Sequence, residues 1–500
     1  MLKNSIGQIS IRSGVSNYVG KTIMTVVDAA IFFLVTKKLL INDYGVYSFL
    51  IAVLSFFAFF GSLGIPYALL RFIPEYMSNG KKDIAASIIR LSLFAITVFG
   101  LLLIGISFLA AGRLSAIFDI EPLKRWLPLL IVIGVSYIII RAEDEILNSL
   151  FLQVFRNVFQ VLASLLKLVL FIIVLQYGLG VSWLLMAIAA VSILQMLVYF
   201  LKINKCFPEI YLRAPAPKEE LRRFSIFSAK EYSYVVTAFF WDMSLDIYII
   251  AYLLGSVSAG IFNFASSISF FLLHWSPGIV LQSVMSPLFV REYVKPDNFS
   301  SLKNLFKFYN KCKAFFAFPV ICGVWLLTDK AELIIYHNKF APAVNTLKIL
   351  VISVMLQAFT MPIRNIYNIF EKNEYSLYCN IVIFYRVCAS FVFIRYFGII
   401  GAAYAYGSSM IFYFFVHLFF MRRIIKMQYP IRSFFNTLVN SLIMAFFIVL
   451  LKPFMGDSVW RFLLVIVSAL LVYLIASYIN KPFKKEETNY IKESLGFASI

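Results

Sequence analysis

The chain has 500 residues, of which 61% are hydrophobic and only 14% charged, with a mean hydropathy of +0.87. A soluble globule is about half apolar and needs far more polar surface. The composition therefore excludes a soluble globule, a disordered chain, a coiled coil and a disulfide scaffold, and it defines an all-α polytopic membrane protein. The net charge of +20 is read as basic cytoplasmic loops under the positive-inside rule, not as a nucleic-acid surface.

Fourteen apolar stretches, near the ~20 residues that span a bilayer, run over 15–40, 44–70, 84–112, 126–150, 155–176, 181–203, 224–253, 257–289, 306–328, 344–370, 375–397, 399–421, 433–452 and 459–480. Interrupting charges leave twelve or thirteen open. No short apolar core with a small-residue cleavage site opens the chain, so the first helix is expected to stay in the protein. The connections are short apart from 204–223 and 291–305. Lys and Arg crowd alternate connections, among them Lys81 and Lys82, Arg222 and Arg223, Arg291 and Lys295, Arg422 and Arg423, and Lys484 and Lys485. Both termini are therefore expected to be cytoplasmic.

Charged residues inside spans cost free energy and normally face a partner or a watery cavity. In the first helix Lys21 and Asp28 share one face, which predicts either a polar cavity wall or a local ion pair. The fourth ends in Arg141, Glu143, Asp144 and Glu145. Arg141 and Glu145 are one turn apart and can pair, while Arg141, like Lys230 of the seventh helix, is also a candidate for the substrate cavity. Asp144 and Glu145 are candidates for ion coupling or for a structural ion-pair cluster. The seventh carries Lys230, Glu231, Asp242 and Asp246, with the acids expected along nearly one face. Asp242 and Asp246 are the leading candidates for a coupling ion or sugar hydroxyls.

His274 in the eighth helix is either a titrating group or a packing residue. Arg364 in the tenth and Arg386 in the eleventh are candidate cavity cations, because a planar guanidinium binds phosphate oxygens with two bonds. Arg71 is read as a cytoplasmic anchor. Pro66, Pro277, Pro287, Pro319 and Pro362 are expected to kink helices.

An internal repeat divides the chain into six helices and eight. Tyr44-Gly45-Val46-Tyr47-Ser48-Phe49 matches Ala259-Gly260-Ile261-Phe262-Asn263-Phe264 at an offset of 215. Pro74-Glu75-Tyr76 matches Arg291-Glu292-Tyr293 at 217, and Gly178-Leu179-Gly180 matches the Gly398–Gly401 turn at 220. Six helices per copy is even, so the repeat is parallel. The expected division is 1–205 as a first six-helix lobe, 206–223 as a cytoplasmic linker stiffened by Arg213-Ala-Pro-Ala-Pro-Lys218, 224–424 as a second lobe, and 425–500 as two additional helices and a tail. The two pseudo-symmetric lobes are expected to enclose a central cavity.

Leu39-Leu40, Tyr44-Gly45-Val46-Tyr47, Phe49, Leu63-Gly64, Arg71-Phe72-Ile73-Pro74-Glu75-Tyr76 and the Gly398–Ala403 helix entry resemble the polysaccharide flippases of the multidrug/oligosaccharidyl-lipid/polysaccharide exporter superfamily. The resemblance implies twelve to fourteen helices, alternating access and a hydrophilic cavity. It also implies a polyprenyl-pyrophosphate oligosaccharide as substrate, made for O-antigen or exopolysaccharide assembly at the bacterial inner membrane, with other assembly proteins as partners. An exporter of cationic drugs from the same superfamily is the second reading. A membrane polymerase is disfavoured by the short extracellular connections.

Gly20-Lys21-Thr22 resembles the tail of a phosphate loop, but Gly14 stands one residue too early and no strand precedes it. His274, His337 and His417 are too far apart for metal spacing. No cofactor is expected, apart from coupling to Na+ or H+.

Overall fold

The computed structural model describes residues 2–118, 123–207, 216–275, 285, 288–290, 292–293, 298–372 and 374–483. Helices account for nearly all of them, because a backbone in hydrocarbon must satisfy its own polar groups. They are α1 (Leu2–Lys38), α2 (Ile41–Phe60), α3 (Ile65–Ser78), α4 (Lys82–Phe118), α5 (Leu123–Ser149), α6 (Gln153–Gln176), α7 (Val181–Cys206), α8 (Lys218–Trp241), α9 (Ser244–Leu254) and α10 (Ser256–Trp275). There follow α11 (Asn298–Tyr336), α12 (Ala343–Ala358), α13 (Met361–Ile369), α14 (Glu374–Cys379), α15 (Val382–Phe397), α16 (Ile399–Ile424), α17 (Ile431–Leu451) and α18 (Val459–Asn480). Thirteen spans are long and apolar enough to cross a membrane, or fourteen if α8 and α9, bent by 48°, count as one. The all-α fold and the span count agree with the sequence.

Several apolar stretches are broken where one helix was expected. Stretch 44–70 breaks between α2 and α3, where Leu63 and Gly64 take φ of 51° and 70°. A side chain at Gly64 would run into the backbone of Ser228 and Tyr232, so the break needs glycine for both conformation and space. Stretch 224–253 breaks at Asp242, whose backbone is extended at ψ 145°. Its carboxylate accepts the Ser244 N–H at 2.9 Å, which favours a helix start over continuation. Glu231 and Asp242 consequently do not lie on one continuous helical face, contrary to expectation. Stretch 344–370 breaks between α12 and α13, and 375–397 between α14 and α15. Pro66 and Pro362 stand in the first turns of α3 and α13, where the missing N–H costs nothing. They begin helices and do not kink them. Pro319 lies within α11, and Pro277 and Pro287 fall outside the described residues.

The chain forms two compact units, Met1–Gly260 and Ile261–Ile500. Residues 208–215 of the expected linker lie outside the described residues. In the first unit, Phe57, Leu69, Phe72, Ile73, Ile88, Ile138, Ile146 and Tyr199 form a buried core joining α2, α3, α4, α5 and α7. In the second, Phe306, Tyr309, Ile363, Tyr367 and Met421 join α11, α13 and α16. A separate cluster of Leu327, Ile334, Met444, Ile448, Phe462 and Tyr473 packs α17 and α18 on α11. The Tyr473 hydroxyl donates to the Phe315 carbonyl at 2.7 Å. Asn440, wholly buried, clasps the last two helices: it donates to Ser477 at 3.2 Å and accepts from Asn480 at 2.7 Å. Gly180 and Gly398, at the matched turns of the repeat, precede α7 and α16 with φ of 80° and 63°.

Candidate functional site

The α2–α3 break leaves carbonyls that no helix can satisfy. Side chains from α5 and α8 take them up. Arg141 donates to the Ala58 carbonyl and to the Tyr67 hydroxyl, both at 3.3 Å. Ser228 donates to the Leu63 carbonyl at 2.7 Å and Tyr232 to the Phe60 carbonyl at 3.1 Å. The guanidinium stands at the C-terminal end of α2, where the helix dipole favours a cation. Arg141 and Glu145, which their spacing allows to pair, take different partners. Arg141 is drawn to the break, and Glu145 instead accepts from Asn148 at 3.2 Å.

Asp144 accepts two bonds from the Gln160 amide of α6, at 3.0 and 3.1 Å, and the Tyr199 hydroxyl donates to the Arg156 carbonyl at 3.1 Å. This end of α5 is a closed polar knot among α5, α6 and α7. Glu143 is wholly buried beside it.

In α1, Asp28 pairs with Lys167 of α6 at 3.3 Å, the two side chains being 57% and 28% exposed. The pair lies inside two candidate spans, with both side chains partly exposed. Lys21 is exposed and is not the partner of Asp28. On α8, Lys230 is exposed, and on α9 Asp246 is wholly buried while Asp242 is half-buried. Below them α8 is tied to α3. Arg223 forks onto Glu75 at 2.5 and 3.1 Å, Tyr76 donates to Glu220 at 3.0 Å, and Lys81 bridges Glu220 at 3.5 Å. The Arg223 hydrogen bond holds the Glu75 carboxyl below its ordinary range.

In the second unit the two candidate arginines part company. Arg364 on α13 is exposed within a candidate span. Arg386 on α15 is wholly buried and stacks over the Tyr406 ring at 4.9 Å. His274 is exposed, with Nδ1 2.8 Å from the Phe270 carbonyl of its own helix. His417, not singled out from the sequence, is wholly buried. The Tyr367 hydroxyl donates to the His417 carbonyl at 2.8 Å, which leaves its oxygen to accept from His417 Nδ1 at 3.2 Å. Lys167 was also missed, although a lone lysine amid the apolar run 155–176 signals a partner on another helix. Among the described residues no group of His, Cys, Asp and Glu could hold a metal ion.

Broken spans that carry charge, in two helical units, define a multi-pass membrane protein. Its fold is that of the lipid II flippase MurJ in an inward closed conformation, with a TM-score of 0.73 over 94% of this chain and 98% of that one, at 18% identity. An inward-facing multidrug transporter of the multidrug/oligosaccharidyl-lipid/polysaccharide exporter superfamily matches at 0.64 over 82% of this chain and 98% of its own, at 17% identity. A superfamily transporter from Pyrococcus furiosus matches at 0.51 over 84% and 96%, also at 17% identity. These likenesses speak to the fold alone. Residues 35–345 match the model of the polysaccharide biosynthesis protein family, and the chain belongs to that family. No curated protein matches it in sequence.

Proposed function

We propose that the protein is a flippase that carries polyprenyl-pyrophosphate-linked oligosaccharide units across the bacterial inner membrane by alternating access, with both termini cytoplasmic. The observation that carries this reading is Arg364. Family membership points to polysaccharide assembly, and Arg364 is a guanidinium left exposed within an apolar span, where an anionic head group is a fitting counter-ion. Lys230 adds a second exposed cation in the first unit. Asp242 and Asp246, at the α8–α9 break, are proposed to bind a coupling ion, since broken helices offer backbone and carboxylate oxygens together. Asp28 with Lys167 is proposed to line the polar route for the sugars.

A drug exporter is the second reading, favoured by the multidrug transporter fold and by the partly open Asp28. Proteoliposomes loaded with a fluorescent undecaprenyl-pyrophosphate oligosaccharide separate the two. The flippase reading expects protein-dependent access of an external quencher to the probe, reduced at least tenfold by Arg364→Ala. Uptake of cationic dyes with no movement of the lipid probe would replace it with the exporter.

A further inference from the structure

Glu143 is the one acid in its neighbourhood that nothing satisfies. Its side chain is wholly buried within the α5 span, and neither carboxyl oxygen has a hydrogen-bond partner. The charged and titratable groups on the packed elements are engaged elsewhere. Arg141 on the same helix is turned to the α2–α3 break. Arg156 of α6 donates to Asn157 and places its charge toward Asp144, and Tyr199 of α7 donates to the Arg156 carbonyl. Arg71 of α3 lies over Phe72 and Phe227, and Glu75 of α3 is held by Arg223. The charge that does reach Glu143 is that of Asp144, which has the same sign.

An ionised carboxylate here would be enclosed with no donor from the described residues, next to a second acid. Burial of that kind is resolved by neutralising the group. We propose that Glu143 is a proton-binding site of the transport cycle. It holds a proton while α5 is packed as seen here, and returns it to water when α5 parts from its neighbours and solvent reaches the carboxyl. A proton bound in one conformation and released in another ties the conformational equilibrium to the proton gradient. Asp144, with both oxygens on Gln160, stands beside it as a second acid, and whatever charge it carries favours the protonated form of Glu143. This inference deepens the ion-driven reading of the proposed function and rests on it for its role, though the site itself can be tested without substrate.

The test is infrared difference spectroscopy of the full-length protein in lipid, free of substrate. At neutral pH the wild type is expected to show the carbonyl stretch of a protonated carboxyl. That feature should be missing from Glu143→Gln, which keeps the shape of the neutral acid, and retained by Asp144→Asn. If Glu143→Gln does not fold, alkaline titration of the wild type reads the same group: the stretch must be present at neutral pH and disappear on raising pH. A wild type lacking the protonated-carboxyl stretch at neutral pH overturns the site, as does a wild-type-minus-Glu143→Gln spectrum with no carboxyl feature. Either result leaves lipid flipping untouched, whereas absence of flipping with the carboxyl feature intact would strike the transport reading alone.

Discussion

Gly45 and Gly260 meet face to face: a Cβ built on Gly260 would stand 2.6 Å from the Gly45 Cα and 2.9 Å from its nitrogen. A Cβ on Gly45 would in turn collide with the Ser256 carbonyl. The two are the matched glycines of the internal repeat, and both lie within the first compact unit, in a backbone-to-backbone contact of α2 with the first turns of α10. Small residues of this kind let membrane helices approach closely. Gly45→Ala and Gly260→Ala are expected to cost about 1–3 kcal/mol by overpacking, although alanine is the better helix former by about 1 kcal/mol. Gly323→Ala in α11, where no atom lies within 4 Å, should be neutral or stabilising. Thermal unfolding of the three variants in one detergent decides the matter, and equal midpoints would contradict it.

The clasp on the α2–α3 break predicts a graded series. Tyr232→Phe and Ser228→Ala each leave a carbonyl of the break without its donor, at a cost of about 1 kcal/mol. Arg141→Ala removes two bonds, both long at 3.3 Å, and is expected to cost about 1.5 kcal/mol. Arg141→Lys should not restore it, because an ammonium is a point donor without a fork. Stability of the lysine variant equal to wild type would show that charge alone suffices.

Glu75 and Arg223 give a pH signature. The carboxyl is held below its ordinary range in the folded protein by the Arg223 hydrogen bond. The stabilisation is therefore fully present above the unfolded value, about pH 4.3, and is lost as pH falls through the folded value. The midpoint difference between wild type and Arg223→Gln should be constant at neutral pH and close toward zero in acid. High salt should also narrow it, since both side chains are partly exposed. A difference that persists unchanged in acid would assign the effect of Arg223 to its packing on Phe72 at 4.9 Å.

The two arginines of the second unit should separate function from folding. Arg364→Ala is expected to leave the unfolding midpoint unchanged while reducing flipping. Arg386→Ala removes a buried cation over Tyr406 and is expected to cost about 2 kcal/mol or more. Its flipping loss should follow the amount of folded protein. A stable Arg386→Ala that is inactive would return this residue to the transport route.

The Asn440 clasp is the cleanest test of the last two helices. Asn440→Leu loses its bonds to Ser477 and Asn480 and is expected to cost about 0.6–1.7 kcal/mol, from the average to the maximum for hydrogen bonds between membrane helices. Limited proteolysis should then cleave residues 452–458 sooner than in wild type.

The spans were legible because hydrocarbon permits so few solutions: a run of apolar residues such as 459–480 can only be a helix. The breaks were not. Asp242 reads as one more charge on a helical face until its carboxylate is seen to take the Ser244 N–H, and Leu63-Gly64 carries no mark of how closely Ser228 approaches. Pairing across helices was equally hidden. Spacing proposed Glu145 for Arg141, but the carbonyls freed by the α2–α3 break compete for the guanidinium, and a sequence does not display freed carbonyls. Arg364 and Arg386 are alike in residue type and in apolar setting. Which one is enclosed depends on the helices brought against it, as Tyr406 is against Arg386.

The anchoring of α17 and α18 on α11 has a consequence for biogenesis. The ribosome delivers α11 well before residues 431–483, so the surface bearing Leu327 and Ile334 and the carbonyl of Phe315 waits uncovered while five more helices are inserted. The closing hairpin, already joined through Asn440 and Asn480, then docks as one piece. A chain stalled short of Tyr473 would leave that surface facing lipid, available to the quality-control machinery of the membrane.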